Sequence, residues 1–259
     1  MKISVVIPMY NASSTIVRAL DSIKEQTFKC YYQIIVVNDG SKDNSQEIVE
    51  KYIADHPELN ITLINQLNGG VSKARNTGLK QASGNFIALL DSDDAWKQKK
   101  IEEQVNVFKT CQHVDFLGTG FAGFGINAED GRLQRIFFKD LLFRNYFQPS
   151  TILMKREIVD KVGFFDENQK YAEEGNYFFR ISRKFQCYFL NKELIIFGDG
   201  KSGFGESGLS ANLKEMEKGE LKNLKFAYEN KWIGFGLYFV TVCFSLLKYL
   251  RRIVIVKLR

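Results

Sequence analysis

The stretch FIALLDSDDAW, Phe86 to Trp96, runs five apolar residues into three aspartates within four positions. An apolar run of this length, ended by a turn, reads as a buried strand. Its end poses an electrostatic problem, because Asp91, Asp93 and Asp94 repel one another and the unfolded chain keeps them further apart. A turn of this kind calls for positive charge close by. Two carboxylates separated by one residue on a strand-end turn can share a hard divalent cation with a phosphate. Asp93 or Asp94 could instead cap a helix beginning near Trp96. A cap uses one acid and leaves the others unexplained.

Upstream, the same pattern recurs. KISVVIP (Lys2–Pro8) is a β-branched run stopped by proline, followed by a segment with Ile16, Ala19, Leu20 and Ile23 on one helical face. A second strand reaches Val37, then a polar turn, then a helix with Ile48, Val49, Tyr52 and Ile53 inward. NITLINQ is a third strand, and GGVSKARNTGLKQA a glycine turn opening a helix. Four strands alternate with helices, and the strands are aliphatic throughout. That predicts an α/β fold with a mostly parallel sheet covered on both faces. Beyond Trp96 the alternation weakens. Residues 97–109 read as helix and 114–125 as strand-like. Ser150–Glu167 reads as strand, helix and loop, Ala172–Phe185 as a helix with acids in its first turn, and Leu194–Ser210 as a strand followed by a loop carrying five glycines.

Ligands of such sheets bind beyond the C-terminal ends of the strands. The polar clusters fall there: Tyr10–Asn11, Asn38–Ser41, Asn68–Gly70 and Asp91–Asp94. NGGVSKAR (Asn68–Arg75) offers backbone N–H groups at a helix start, with Lys73 and Arg75 for phosphate or base contact. Tyr10 suits stacking on a base, or packing. Asp39 suits a base N–H, or a plain turn.

The net charge of +6 comes from the C-terminus. Lys231, Lys248, Arg251, Arg252, Lys257 and Arg259 are accompanied by no acid, and the remainder holds 30 residues of each sign. A neutral body argues against nucleic acid as a partner, and a basic tail argues for an anionic surface. The four cysteines are scattered singly, without zinc spacing or a disulfide framework, which fits a reducing cytoplasm.

In order, SVVIPMYNASSTIVRALDSIKEQTF, IIVVNDGSKDNS, NGGVSKARNTGL, GNFIALLDSDDAW and AEEGNYFFRI resemble the successive signatures of glycosyltransferase family 2, over about residues 1–200. The resemblance implies a GT-A fold, a nucleotide-sugar donor (UDP by family habit, with GDP and dTDP open) and Mn2+ or Mg2+. By that analogy Pro8, Tyr10 and Asp39 line the base and ribose, Gly70, Lys73 and Ser92 contact the nucleotide sugar, and Asp91 and Asp93 form the DxD motif, with Asp93 the more direct metal ligand. The family inverts the anomeric carbon. Its base belongs to a Glu-Asp pair six residues before an arginine, which gives Glu174 here, counted from Arg180, with Glu173 as competitor. The usual aspartate is thus a glutamate, followed by Gly175 on what reads as a flexible turn, and Asn38 stands where an aspartate is frequent. Gly198–Ser210 resembles the family's segment that closes over the donor diphosphate.

Trp232–Leu247 is sixteen residues without charge, followed by KYLRRIVIVKLR. As a helix, sixteen residues rise about 24 Å, short of the roughly 30 Å hydrocarbon layer. A helix lying in the membrane interface is expected, with packing on the core or a dimer contact as the competing reading. The resulting organisation is a GT-A domain over 1–210 (1–96 the nucleotide half, 97–210 the acceptor half and lid) and a helical, basic-hydrophobic tail over 211–259. The resemblance extends to enzymes that elongate lipid-diphosphate-linked sugars in bacterial surface-polysaccharide (lipopolysaccharide, O-antigen) synthesis. That places the chain in the cytoplasm, peripheral at the inner face of the membrane. The rival readings are another nucleotide-sugar transferase and a catalytically degenerate nucleotide-sugar-binding scaffold.

Overall fold

The computed structural model describes residues 1–121, 125, 130–198 and 209–258. Apart from its ends, the expected lid Gly198–Ser210 lies outside the described residues. The N-terminal half alternates β1 (Lys2–Met9), α1 (Ile16–Lys24), β2 (Tyr31–Asn38), α2 (Ser45–Asp55), β3 (Ile61–Asn65), α3 (Val71–Gln81) and β4 (Phe86–Leu89). There follow β5 (Ala95–Trp96), α4 (Lys100–Thr110), β6 (Phe116–Gly120), β7 (Leu133–Ile136), α5 (Phe138–Leu141), β8 (Leu153–Lys155), α6 (Glu157–Val162), α7 (Glu173–Ser182), β9 (Cys187–Glu193) and β10 (Ile195–Ile196). Two helices, α8 (Leu213–Glu229) and α9 (Phe235–Leu258), end the chain.

One sheet of order β3-β2-β1-β4-β8-β6-β9-β7 forms the middle layer. β1 through β4 are mutually parallel, β8 enters antiparallel between β4 and β6, and β5 pairs separately with β10. The aliphatic strands explain the layering. Side chains alternate across a strand, so Ile3, Val5, Ile7, Ile34, Val36 and Ala88 pack into one core, while Val6, Ile35, Val37, Ile87 and Leu89 pack into the other. The first core is covered by α1, α2 and α4. The second is covered by α3, α5, α6, α7 and α8. Burying each such side chain stabilises the fold by roughly 1.5–3 kcal/mol. Gly78 lets α3 lie directly on β1, where a Cβ would come within 2.3 Å of Val6 Cγ1.

The tail divides. α8 belongs to the second core through Leu224 and Ala227, and Asn223 bonds to Ala172 O and Gln169. Trp232 and Ile233 join the same core. In α9 the polarity is reversed. Thr241 and Ser245 are buried, and Lys248 and Arg252 turn inward to Glu220 of α8, at 3.3 and 2.7 Å. Phe239, Leu247 and Leu250 lie outside, 60%, 65% and 57% exposed. No helix among the described residues is long and apolar enough to cross a membrane.

Candidate functional site

Because β1–β4 are parallel, their C-terminal turns share one edge, and a single cleft of about 1590 Å³ opens there. Pro8, Tyr10, Asp39, Gly70, Asp91, Ser92, Asp93, Glu173 and Glu174 all line it. Lys73 is exposed, its stem lies over Gly69, and it is not among the lining residues.

The three aspartates of the opening stretch meet three different fates. Asp91 Oδ1 accepts from Arg75 Nη2 at 2.8 Å, and its backbone N–H donates to Ser150 Oγ. Asp93 stays exposed at the cleft. Asp94 is buried and accepts from Ser150 Oγ, Gln148 Nε2 and the backbone N–H of Gly198. Burial and the neighbouring Asp91 push its carboxyl up to about 7. The helix-cap expectation is corrected here. Residues 95–96 pair as a strand with β10, the helix starts at Lys100, and Asp94 ties the aspartate turn to the root of the glycine-rich segment instead.

Arg75 is also corrected. It was expected to reach for phosphate, but it is 3% exposed and bridges Asp91 to Glu173, whose Oε1 lies 2.7 Å from Nη1. This guanidinium is the positive charge that the aspartate turn required. It also separates the two glutamates at the start of α7. Glu173 is ion-paired, whereas Glu174 makes no ion pair among the described residues and borders the cleft. Burial, and then the charge of Glu173, raises the Glu174 carboxyl to about 8. Gly175 is no flexible turn. It sits inside α7, where an added Cβ would lie 2.9 Å from Asn223 Nδ2.

Asp39 is 3% exposed and holds the glycine turn in place. Its Oδ1 accepts from Gly69 N and Gln66 Nε2, and its Oδ2 from Gly70 N at 2.8 Å. Gly70 needs its φ of +87°, which side-chain-bearing residues rarely adopt. Asn38 keeps an acceptor role, taking the Ser41 N–H and donating to Asn65. Gln148 and Ser150 went unnoticed in the sequence. Their only local signal is the proline-led QPST turn, and their partners lie more than fifty residues away.

Among the described residues no cluster of three His, Cys, Asp or Glu could cage a metal. Asp91 and Asp93 both line the cleft from one turn, and a hard divalent ion that keeps waters and takes its remaining ligands from substrate phosphates needs only one or two protein carboxylates.

The sheet order and this cleft define a GT-A protein. The family model for glycosyl transferase family 2 matches residues 4–170, and the chain belongs to that family. An uncharacterized glycosyltransferase of Rickettsia prowazekii is 30% identical over 90% of this chain and 71% of its own length. The Escherichia coli UDP-Glc:α-D-GlcNAc-diphosphoundecaprenol β-1,3-glucosyltransferase WfgD is 31% identical over 62% of this chain and 63% of its own. Among solved structures, S. aureus TarS 1–349 in complex with UDP superposes with a TM-score of 0.68 at 22% identity, over 95% of this chain and 71% of that one. The Pyrobaculum calidifontis mannosyltransferase PcManGT, in complex with GDP-Man and Mn2+, gives 0.68 at 16%, over 95% and 73%.

Proposed function

We propose that this chain transfers a sugar, with inversion, from a nucleotide sugar, UDP-linked by preference, to a sugar acceptor carried on a lipid diphosphate. The observation that carries this reading is the unequal treatment of the two glutamates. One is ion-paired to Arg75, and the other, without an ion pair among the described residues, stands at the wall of the cleft that contains the aspartate turn. Tyr10 and Pro8 receive the base, and the Gly69–Gly70 turn, fixed by Asp39, lies beside them. Asp93, with Asp91, would hold Mn2+ or Mg2+, which supplies charge neutralisation for the departing diphosphate. Glu174 takes the proton of the acceptor hydroxyl as its oxygen bonds to the anomeric carbon, and the bond from that carbon to the diphosphate oxygen breaks with its electron pair on the diphosphate. A raised carboxyl suits a group that must accept a proton near neutrality. WfgD's named acceptor supports the lipid-diphosphate class. The test is a donor screen with manganese on a short synthetic lipid-diphosphate sugar, with product linkage read by NMR. Nucleotide binding without transfer to any acceptor would favour the scaffold reading.

Asp93→Ala should lower turnover by about two orders of magnitude or more, because the cation that would neutralise the leaving diphosphate would lose a carboxylate that holds it. Manganese-dependent nucleotide binding, followed by calorimetry, should fall with it. Near-normal turnover with manganese present would remove the DxD assignment.

The reading includes peripheral contact with the inner face of the cytoplasmic membrane through α9. Its outward apolar side suits insertion at a lipid interface. The double substitution of Leu247 and Leu250 by serine should abolish flotation with anionic vesicles. Because both residues are exposed, thermal stability should change by less than about 0.5 kcal/mol. A large loss of stability would show instead that this face packs on protein.

A further inference from the structure

The cleft does not end at Glu174. It continues along α8 to α9, where Leu213, Met216, Glu220, Ser245, Lys248, Arg251 and Arg252 form its far wall. The ionic arrangement there is unlike a plain surface patch. Glu220 pairs with Lys248 and Arg252 together, and Lys248 also donates to Phe143 O, so both cations are held at fixed positions. Burial works against the Glu220 charge, but Arg252 and Lys248 outweigh it and keep this carboxyl below its usual range. Glu217, also nearby, accepts from Ser245 and is not among the residues lining the cleft; burial, and then Glu220, raises its carboxyl. Arg251 is exposed at the cleft and makes no ion pair among the described residues. Three cations thus line this wall with one carboxylate, Glu220, and the wall is positive. Roughly a third of a turn round its axis, the same α9 presents Leu247, Leu250 and Val254 to the outside.

A wall that joins a positive cleft end to an apolar outer surface fits a ligand with the same two parts in the same order. We propose that Lys248, Arg251 and Arg252 form a subsite for the diphosphate of a prenyl-diphosphate-linked acceptor, with the prenyl chain leaving along the outer face of α9 and the acceptor sugar pointing back towards Glu174. This rests on the acceptor class proposed above and adds the residues that recognise it. Arg251 closes on the diphosphate when the acceptor arrives, while Glu220 pre-positions the other two cations. The donor diphosphate is held at the opposite end of the cleft, at the aspartate turn, so one cleft holds two diphosphates apart.

The test uses the full chain carrying Asp93→Ala, in EDTA, so that diphosphate binding at the aspartate turn is removed whatever the donor is. Probes are farnesyl diphosphate, farnesol and inorganic diphosphate, followed by calorimetry, together with phosphatidylcholine vesicles with and without phosphatidylglycerol. Farnesyl diphosphate should bind more tightly than either fragment, and adding Arg251→Gln should weaken it about tenfold, as expected for loss of one charge-assisted contact. Arg251→Lys should recover part of the loss. Arg251 makes no ion pair among the described residues, so folding should be unaffected, and thermal unfolding checks this. Equal binding of farnesyl diphosphate and farnesol would overturn the subsite. So would an Arg251→Gln variant that loses only phosphatidylglycerol-dependent vesicle binding, since the cations would then serve bulk lipid. In parallel, UDP and manganese binding by the otherwise unaltered chain reports on the donor reading. That reading can fail while the prenyl-diphosphate result stands, and the reverse.

Discussion

Glu174→Gln should retain the fold and donor binding and lose turnover by roughly two to four orders of magnitude, the range for removing a general base. The amide is close in shape but cannot accept the acceptor proton. Glu173→Gln should behave differently: its carboxylate is already committed to Arg75, so its loss shows chiefly as reduced stability. A dead Glu173→Gln beside an active Glu174→Gln would reverse the assignment. The pH profile gives a second check. As the proposed base Glu174 would work deprotonated, and burial raises its carboxyl to about 8, so turnover of the unaltered chain should climb with pH through that value. Stability moves the other way. A carboxyl raised above its unfolded value contributes stability that is fully present below the unfolded pKa and fades as pH rises through the folded one. The Gln variant should lose that component of the pH dependence of unfolding.

Arg75→Ala should destabilise the protein by roughly 3–5 kcal/mol, the cost of stranding buried charge. Asp91 and Glu173 would lose their shared cation at once, and they lie on the turn after β4 and on α7, so both of these cleft walls would loosen. Denaturant unfolding measures the loss. Adding Glu173→Gln to Arg75→Ala should recover part of it, because one uncompensated carboxylate is removed, and the double-mutant cycle then isolates the coupling. An Arg75→Ala variant as stable as the parent would mean that water or counterions replace the guanidinium freely.

The first four strands, their helices and the shared ligand edge were legible because aliphatic strands ended by polar turns leave little choice of layer or direction. The family resemblance located Asp91, Asp93 and Glu174 from order and spacing. What the sequence concealed was pairing over long separations. Arg75 reads like a phosphate ligand because its neighbours are a glycine turn and Lys73; its partners, Asp91 and Glu173, are brought to it only by the sheet. Asp94 reads like a cap because one acid before a helix usually is one, and its donors come from the Gln148–Ser150 turn and Gly198. The uncharged run of the tail gave length and hydropathy but not orientation. That Lys248 and Arg252 turn inward follows from Glu220, which lies on a different helix.

The reversed polarity of α9 changes how substrate supply is counted. Phe239, Leu247 and Leu250 settled in a lipid interface would keep the cleft in one plane. There the proposed lipid-linked acceptor would arrive by lateral diffusion, already oriented, with its head at the interface and its tail below. Rate would then follow the number of acceptors per lipid molecule and not their number per litre, so diluting a fixed amount of acceptor with inert lipid would slow the reaction at constant bulk concentration.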